Sequence, residues 1–315
     1  MTVNTAPDTS PLPARLMSRR TVLASLAAVP VVGIVLAACG DKTIEPGDTT
    51  GDTVPDTTTP DTTPSGGIAH PTEPTDAVLR YGYSGGFVMM DYDFMRVPTL
   101  LIAGDGRVYR PGVMTMEYPG PLVGPITVST LTEAGIQKLL AEADARGLLT
   151  PPAPDYVLEN PMIADAPNTD VELFAKGTSV LHSAYALGIA MPNQDEEVTP
   201  ARQALLDYTK LLDDLAGTVG ADQLGAEEMY TPAAYRIRAR VADPSEVTGA
   251  EPAPTVVDWP ASTGVNLADA TDCVTLTAEQ AGTVLTDAKQ NTFFRQGDVV
   301  YFVAAAVVLP GDRTC

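Results

Sequence analysis

Ser84 comes closer to a catalytic pattern than any other residue of the chain. It stands in the run 82–86, Gly-Tyr-Ser-Gly-Gly, which satisfies the G-x-S-x-G pattern of a nucleophile elbow. An elbow needs a helix after the serine, and the aromatic, methionine-rich run 87–96 does not predict one. It also needs a base, and His182 is the one histidine in the region predicted to fold. A glycine-rich turn between strands is the favoured interpretation, so no catalytic residue is assigned.

Residues that could bind a metal are not grouped at the spacing of a dedicated site. His182 stands alone in a predicted strand, which favours a half-buried, hydrogen-bonded side chain. The acidic runs 91–93 and 195–197 lack the loop spacing of a calcium site and are interpreted as solvated surface. The sequence has no phosphate loop and no dinucleotide fingerprint. We therefore predict no metal and no cofactor.

The run that contains Met89 and Met95 is apolar and adaptable, so it is a possible contact surface. Core packing is the other interpretation and the favoured one. Met89, Met95 and His182 are retained as candidates for contact with a ligand or partner.

Cys39 has the sequence context of a modified residue. It follows an apolar stretch, 21–35, and a basic segment that contains Arg19 and Arg20, which is the arrangement of a secretory signal. An uncleaved membrane anchor is the alternative, but the run 21–38 is short for a span of about 20 apolar residues and contains proline and glycine. Residues 1–38 are therefore predicted to be a signal peptide.

The formal net charge of −21 excludes one class of partner. Nucleic-acid affinity comes largely from lysine and arginine that displace counterions, so a nucleic-acid partner is not expected. An anionic lipid surface would also repel this charge, so attachment to a membrane would have to come from a lipid bound covalently to the chain and not from a basic patch.

The cysteines Cys273 and Cys315 are expected to form a disulfide outside the reducing cytosol. The chain-entropy model gives such a disulfide a stabilisation of about 4 kcal/mol; free thiols are the alternative.

Composition divides the rest of the chain into a stalk and a folded region. Residues 39–75, which begin with Cys39, are rich in Thr, Pro, Asp and Gly and predict a disordered stalk. Residues 76–220 predict an α+β subdomain, and residues 221–315 predict a second one closed by the disulfide. The glycine- and alanine-rich run 217–234 marks the boundary.

Hydrophobic periodicity predicts an α+β fold, mainly antiparallel sheet built from hairpins with about three packed amphipathic helices. Hairpins are expected at 99–109, around Asp105-Gly106, and at 171–187. A further pair of strands is expected at 235–241 and 299–309. The helices are expected to begin after the N-cap residues Thr132, Thr199 and Thr277.

The helix-start patterns at Thr132 and Thr277 are alike. An internal duplication and the independent use of the same cap both explain this similarity, and the sequence leaves the two open.

The leader supplies a family resemblance. Residues 36–39, Leu-Ala-Ala-Cys, resemble the lipobox of bacterial lipoproteins, and residues 18–23 resemble the twin-arginine motif, in which Arg19 and Arg20 are recognised. With the stalk and the pair Cys273 and Cys315, the chain resembles the twin-arginine-exported lipoproteins of actinobacteria, a group without an assigned activity. The resemblance implies a diacylated Cys39 and a location on the outer face of the cell membrane.

We therefore expect a lipid-tethered binding or interaction module of the cell envelope, with an envelope protein or a small ligand as its partner. An extracytoplasmic hydrolase or other envelope enzyme is the alternative.

Overall fold

A computed structural model of the chain describes residues 66–158, 163–189, 199–248, 251–312 and 315. The predictions on the signal peptide, on Arg19, Arg20 and Cys39, and on the stalk up to residue 65 lie outside these residues. Within them the fold is mixed α and β, with two sheets whose strands are mainly antiparallel.

The first sheet has seven strands, all paired antiparallel. In chain order they are β1 (Ala77–Ser84), β2 (Leu100–Ala103), β3 (Arg107–Pro111), β4 (Ile126–Thr130), β5 (Asn168–Ala175), β6 (Thr178–Tyr185) and β7 (Glu228–Met229). Their order across the sheet is β6-β5-β1-β2-β3-β4-β7.

The second sheet has five strands in the order β10-β8-β12-β11-β9. In chain order they are β8 (Ala234–Val241), β9 (Thr255–Asp258), β10 (Val274–Thr277), β11 (Thr292–Gln296) and β12 (Val299–Val307). Only the pair β9 and β11 is parallel among these strands. Because β7 joins the first sheet, that sheet reaches beyond the boundary predicted at residue 220.

The described residues include two long helices. The helices are α1 (Tyr92–Met95), α2 (Glu133–Ala145), α3 (Pro200–Asp213), α4 (Leu215–Val219), α5 (Pro244–Val247) and α6 (Ala278–Ala281). The predicted caps are present: the hydroxyls of Thr132, Thr199 and Thr277 each accept a bond from a backbone N–H in the first turn. The third predicted helix is the single turn α6, so three packed helices are not confirmed. This difference in length from α2 adds no support to a duplication.

Each face of the first sheet packs against a different layer. Leu79, Tyr81 and Leu173 face the helices α2, α3 and α4 in one apolar core. Because strand side chains alternate, Leu101 and Tyr109 point the other way and share a second core with the second sheet. The predicted hairpins form as β2 with β3 and β5 with β6, and Gly106 supplies the positive φ of 82° in the first turn.

Cys273 and Cys315 form a disulfide pair, with Cα atoms 5.1 Å apart. Cys273 directly precedes β10, and the backbone N–H of Cys315 donates to the hydroxyl of Thr275 in that strand at 3.3 Å.

Residues 66–75 lie on this domain, although composition assigned them to the stalk. The side-chain amide of Gln137 in α2 bonds to both the N–H and the C=O of Ile68, at 2.7 and 2.9 Å. The side chain of His70 is only 5 % exposed, and its Nε2 lies 3.1 Å from a carboxylate oxygen of Glu133. The backbone N–H of Lys176 donates to the C=O of Ala69 at 2.7 Å. Composition missed this segment because it is held mainly by polar groups distant in sequence, together with Ile68, which packs against the first core.

Gly104→Ala tests the packing of this segment. An added Cβ would lie 2.5 Å from the carbonyl oxygen of Glu73 and 2.7 Å from the carbonyl carbon of Thr72, so backbone must move. We expect the free energy of unfolding to fall by about 1–3 kcal/mol, measured by urea denaturation. Gly82→Ala is the matched control, because its Cβ makes only an ordinary 3.4 Å contact with Pro98. Equal effects of the two substitutions would contradict the packing described here.

Candidate functional site

A charged pocket of about 270 Å³ lies on the first sheet, on the face opposite α2, α3 and α4. Its floor comes from β1, β5 and β6, and its walls come from the segment after β1 and from β8. The lining residues are Arg80, Gly82, Tyr83, Ser84, Asp93, Arg96, Val97, Pro98, Asp170, Glu172, Leu181 and Arg236. This volume lies just below the usual range for small-molecule sites, roughly 300–1,000 Å³.

Strand register positions the floor. Arg80 is directly opposite Glu172, and Gly82 is opposite Asp170. Leu181 continues the same row on β6, opposite Glu172. These residues share one face because side chains alternate along a strand, and Gly82 contributes no side chain, which leaves space beside Asp170.

The wall formed by 85–98 is held on the second sheet by arginines. β8 carries Arg236, Arg238 and Arg240 at every second position, on the face opposite its buried core residues. The guanidinium carbons of Arg236 and Arg238 lie 5.2 and 4.8 Å from the ring centre of Phe94, so the ring is stacked by two cations. Arg238 also pairs with Asp91 at 3.2 Å, which fixes the start of α1.

Arg240 continues this row outside the pocket. It makes two bonds of 2.7 Å to the carboxylate of Glu246, which lowers the pKa of Glu246. Such a bidentate pair leaves little capacity for another anion.

Arg80 and Arg96 are likewise occupied within the domain. Arg80 donates to Asp312 at 2.6 Å and to the carbonyl of Pro310 at 3.2 Å. Arg96 lies 3.3 Å from Asp93 and donates to the carbonyl of Gly85 at 3.2 Å.

Arg236, Glu172 and Asp170 are the pocket charges without an ionic partner in the described part of the chain, and Asp170 accepts a hydrogen bond from the hydroxyl of Ser183. Arg236 donates from Nη2 to the carbonyl of Phe94 at 3.2 Å, and no carboxylate among the described residues lies within ion-pair distance of it. Its Nε is buried without an acceptor, as is Nη1 of Arg96. Glu172, directly opposite Arg80, receives no bond from that arginine, because Arg80 turns to Asp312.

His182 lies on the opposite face of the sheet from Ser84 and the pocket. It is fully buried, and its Nε2 donates to the carbonyl of Leu148 at 2.8 Å, so its Nδ1 accepts from the hydroxyl of Tyr156 at 2.7 Å. Both nitrogens are therefore occupied, and burial lowers the pKa of the imidazole. Burial also raises the pKa of Tyr156 to about 12, which keeps its proton available for this bond. The structure does not bring His182 together with Met89 or Met95.

Met89 belongs to an exposed apolar run, residues 87–90, in which Phe87 is 87 % exposed. Met95 is half-buried in α1, beside the pocket wall. A second exposed run, 113–118, contains Met116, which is fully exposed. Sequence reasoning did not single out this second run or the arginines of β8, although the alternation of arginine at 236–240 was a visible signal.

Both apolar runs emerge at one end of the first sheet. The run 87–90 lies between the end of β1 and the start of β2, and the run 113–118 lies between the end of β3 and the start of β4. In an antiparallel sheet of this order, these connections lie at the same end of the strands. We call this end of the strands the loop end. The hairpin turns at 104–106 and 176–177 define the opposite end, which we call the turn end.

No family model, curated protein or solved structure matches the chain. The helices that the structure describes are all too short or too polar to cross a membrane. Among the same residues, no three His, Cys, Asp or Glu side chains are grouped so as to hold a metal ion.

The buried His182 predicts a dependence of stability on pH. Burial lowers its pKa in the folded state below the unfolded value of about 6.5, so the unfolded chain takes up the proton first as pH falls. The contribution of His182 to the free energy of unfolding should therefore be fully present above about pH 6.5 and should decrease below it. Urea titrations at pH 7.5 and 5.5 test this. We expect the decrease to be smaller in His182→Gln, and an equal decrease in both proteins would contradict the assignment.

Proposed function

We propose that this protein is a membrane-tethered lipoprotein of the cell envelope that binds a ligand or partner at the loop end of the first sheet. One observation carries the proposal. Residues 66–75 run beside the turn end, where Ala69 contacts Lys176 and Gly104 contacts the backbone of Glu73, whereas the pocket and the apolar runs 87–90 and 113–118 adjoin the loop end. A tether that reaches the domain at one end leaves the opposite end accessible.

The location rests on the leader. Cys39 and the residues before it have the layout of a lipoprotein signal with paired Arg19 and Arg20. Two acyl chains are enough for stable anchoring, whereas one is marginal. The acidic charge of the chain makes a lipid the reasonable means of attachment to the outer face of the membrane.

Binding is favoured over catalysis by the state of His182. A serine nucleophile needs a base within hydrogen-bond reach, and both nitrogens of His182 are bonded on the other face of the sheet.

An extracytoplasmic hydrolase is the second candidate, because Ser84 lines the pocket together with Asp170. A carboxylate would then have to act as the base. Labelling by a fluorophosphonate probe that is lost in Ser84→Ala would favour this candidate; the binding proposal expects no labelling of either protein.

Cys39→Ala tests the tether. We expect the wild-type chain to fractionate with membranes and to take up a clickable fatty acid, and the variant to do neither. The control is Cys273→Ser, which removes a cysteine without removing the proposed acylation site. Acyl label that persists in Cys39→Ala would refute the assignment.

Hydrogen exchange tests which end of the domain binds. The lipidated full chain is compared in native envelope membranes and in detergent after purification. We expect slower exchange in 85–96 and 112–118 in the native membranes, and unchanged exchange in the hairpin turns 104–106 and 176–177. Protection at the turns alone, or no difference at either end, would refute binding at the loop end.

A further inference from the structure

We propose that the pocket binds a small zwitterion, with a carboxylate of the ligand on Arg236 and an ammonium group on Glu172. This proposal rests on the proposed binding function and names the ligand class of that site.

The first step is the lack of a carboxylate partner at Arg236. The chain has 40 Asp and Glu against 19 Lys and Arg, so acidic partners are abundant. Other arginines near the wall are paired: Arg96 with Asp93, Arg238 with Asp91, and Arg240 with Glu246. Within the described residues Arg236 lines a pocket and lacks such a partner. An oxyanion from outside the chain completes it.

The second step is that Arg236 is held in position before a ligand arrives. Its guanidinium stacks on Phe94 at 5.2 Å and donates from Nη2 to the carbonyl of the same residue. A guanidinium fixed in this way loses little conformational freedom when it binds a planar carboxylate. Its remaining donors are unused in the described part of the chain.

The third step is the lack of a cation at Glu172. Arg80 is the residue directly opposite it on β1, yet Arg80 turns to Asp312, whose side chain is only 4 % exposed. The ion pair of Arg80 with Asp312 therefore removes the cation that the strand register would otherwise have placed beside Glu172. Asp170, on the same strand and face, accepts from Ser183 at 2.6 Å and adds negative charge beside Glu172.

Arg236 on the wall and the carboxylates of Glu172 and Asp170 on the floor together define the ligand class. An anion alone would meet Glu172 and Asp170 on the floor, and a cation alone would meet Arg236 on the wall. A molecule that carries both charges meets an opposite charge at each. The pocket volume of about 270 Å³ restricts it to the size of a free amino acid or a similarly small molecule.

Isothermal titration of the purified full chain tests this proposal with zwitterions of increasing charge separation: glycine, β-alanine, 4-aminobutyrate and 6-aminohexanoate. Propionate and propylammonium represent the two half-ligands. We expect at least one zwitterion to bind at least tenfold more tightly than both half-ligands. No binding of any zwitterion at 10 mM, or equal binding of a half-ligand, would overturn the proposal.

Two substitutions separate the two charges. Arg236→Gln should weaken zwitterion binding at least tenfold. Glu172→Gln should weaken zwitterion binding as strongly but should strengthen binding of propionate, because it removes a repulsive charge. Unchanged affinity in both variants would refute the assignment of these residues.

Arg238→Gln is the matched control for Arg236→Gln, because it also removes a cation from the face of Phe94 but does not line the pocket. We expect it to weaken zwitterion binding much less than Arg236→Gln does, because it loosens the wall without removing the group that contacts the carboxylate. An equal loss in both variants would attribute the effect to loosening of the wall and overturn the role of Arg236. The control for Glu172→Gln is Asp258→Asn, which also removes one negative charge but at an exposed carboxylate of β9.

The two proposals fail separately. If the loop end is protected in envelope membranes but no zwitterion binds, the ligand class is refuted and the binding function stands. If the loop end is not protected and no zwitterion binds, both proposals are refuted.

Discussion

The cation–π contact of Phe94 with Arg236 and Arg238 is the interaction on which the pocket depends. Phe94 belongs to the connection between β1 and β2 of the first sheet, and the arginines belong to β8 of the second sheet. The stacking therefore fixes an irregular segment of one sheet against a regular strand of the other. Without it, the segment 85–98 would have few buried apolar side chains to hold it. The same contact orients Arg236, so the wall and its charged group are formed by one interaction.

Charge pairing then determines what the pocket offers. In a chain with about twice as many acids as bases, most arginines near the wall are neutralised by carboxylates of the domain. The pair Arg80 and Asp312 is the decisive one, because it withdraws a cation from the floor and leaves Glu172 without an ionic partner among the described residues. Buried or half-buried charges without partners are costly to a folded protein, which makes their retention on two sides of one pocket informative.

The antiparallel topology of the first sheet gives the domain two different ends. Short hairpin turns lie at the turn end, where residues 66–75 also pack. Long connections rich in exposed apolar residues lie at the loop end. Short turns keep the strand register of β2 with β3 and of β5 with β6, while the long connections carry the side chains that contact solvent. The pocket and the segment 66–75 therefore lie towards opposite ends of the strands.

The sequence by itself determined the local structure of this protein. Alternating apolar residues specified strands such as β5, Asp105-Gly106 specified a tight turn, and Thr132 and Thr199 specified helix starts, because each depends on neighbours within a few residues. Only the tertiary structure decided the site. Arg80 meets Asp312 across 232 positions and Arg236 meets Phe94 across 142, and His70 joins the domain through Glu133 across 63. Pairings at such separations depend on how the two sheets and α2 pack together, and local patterns of residues carry no information about that packing.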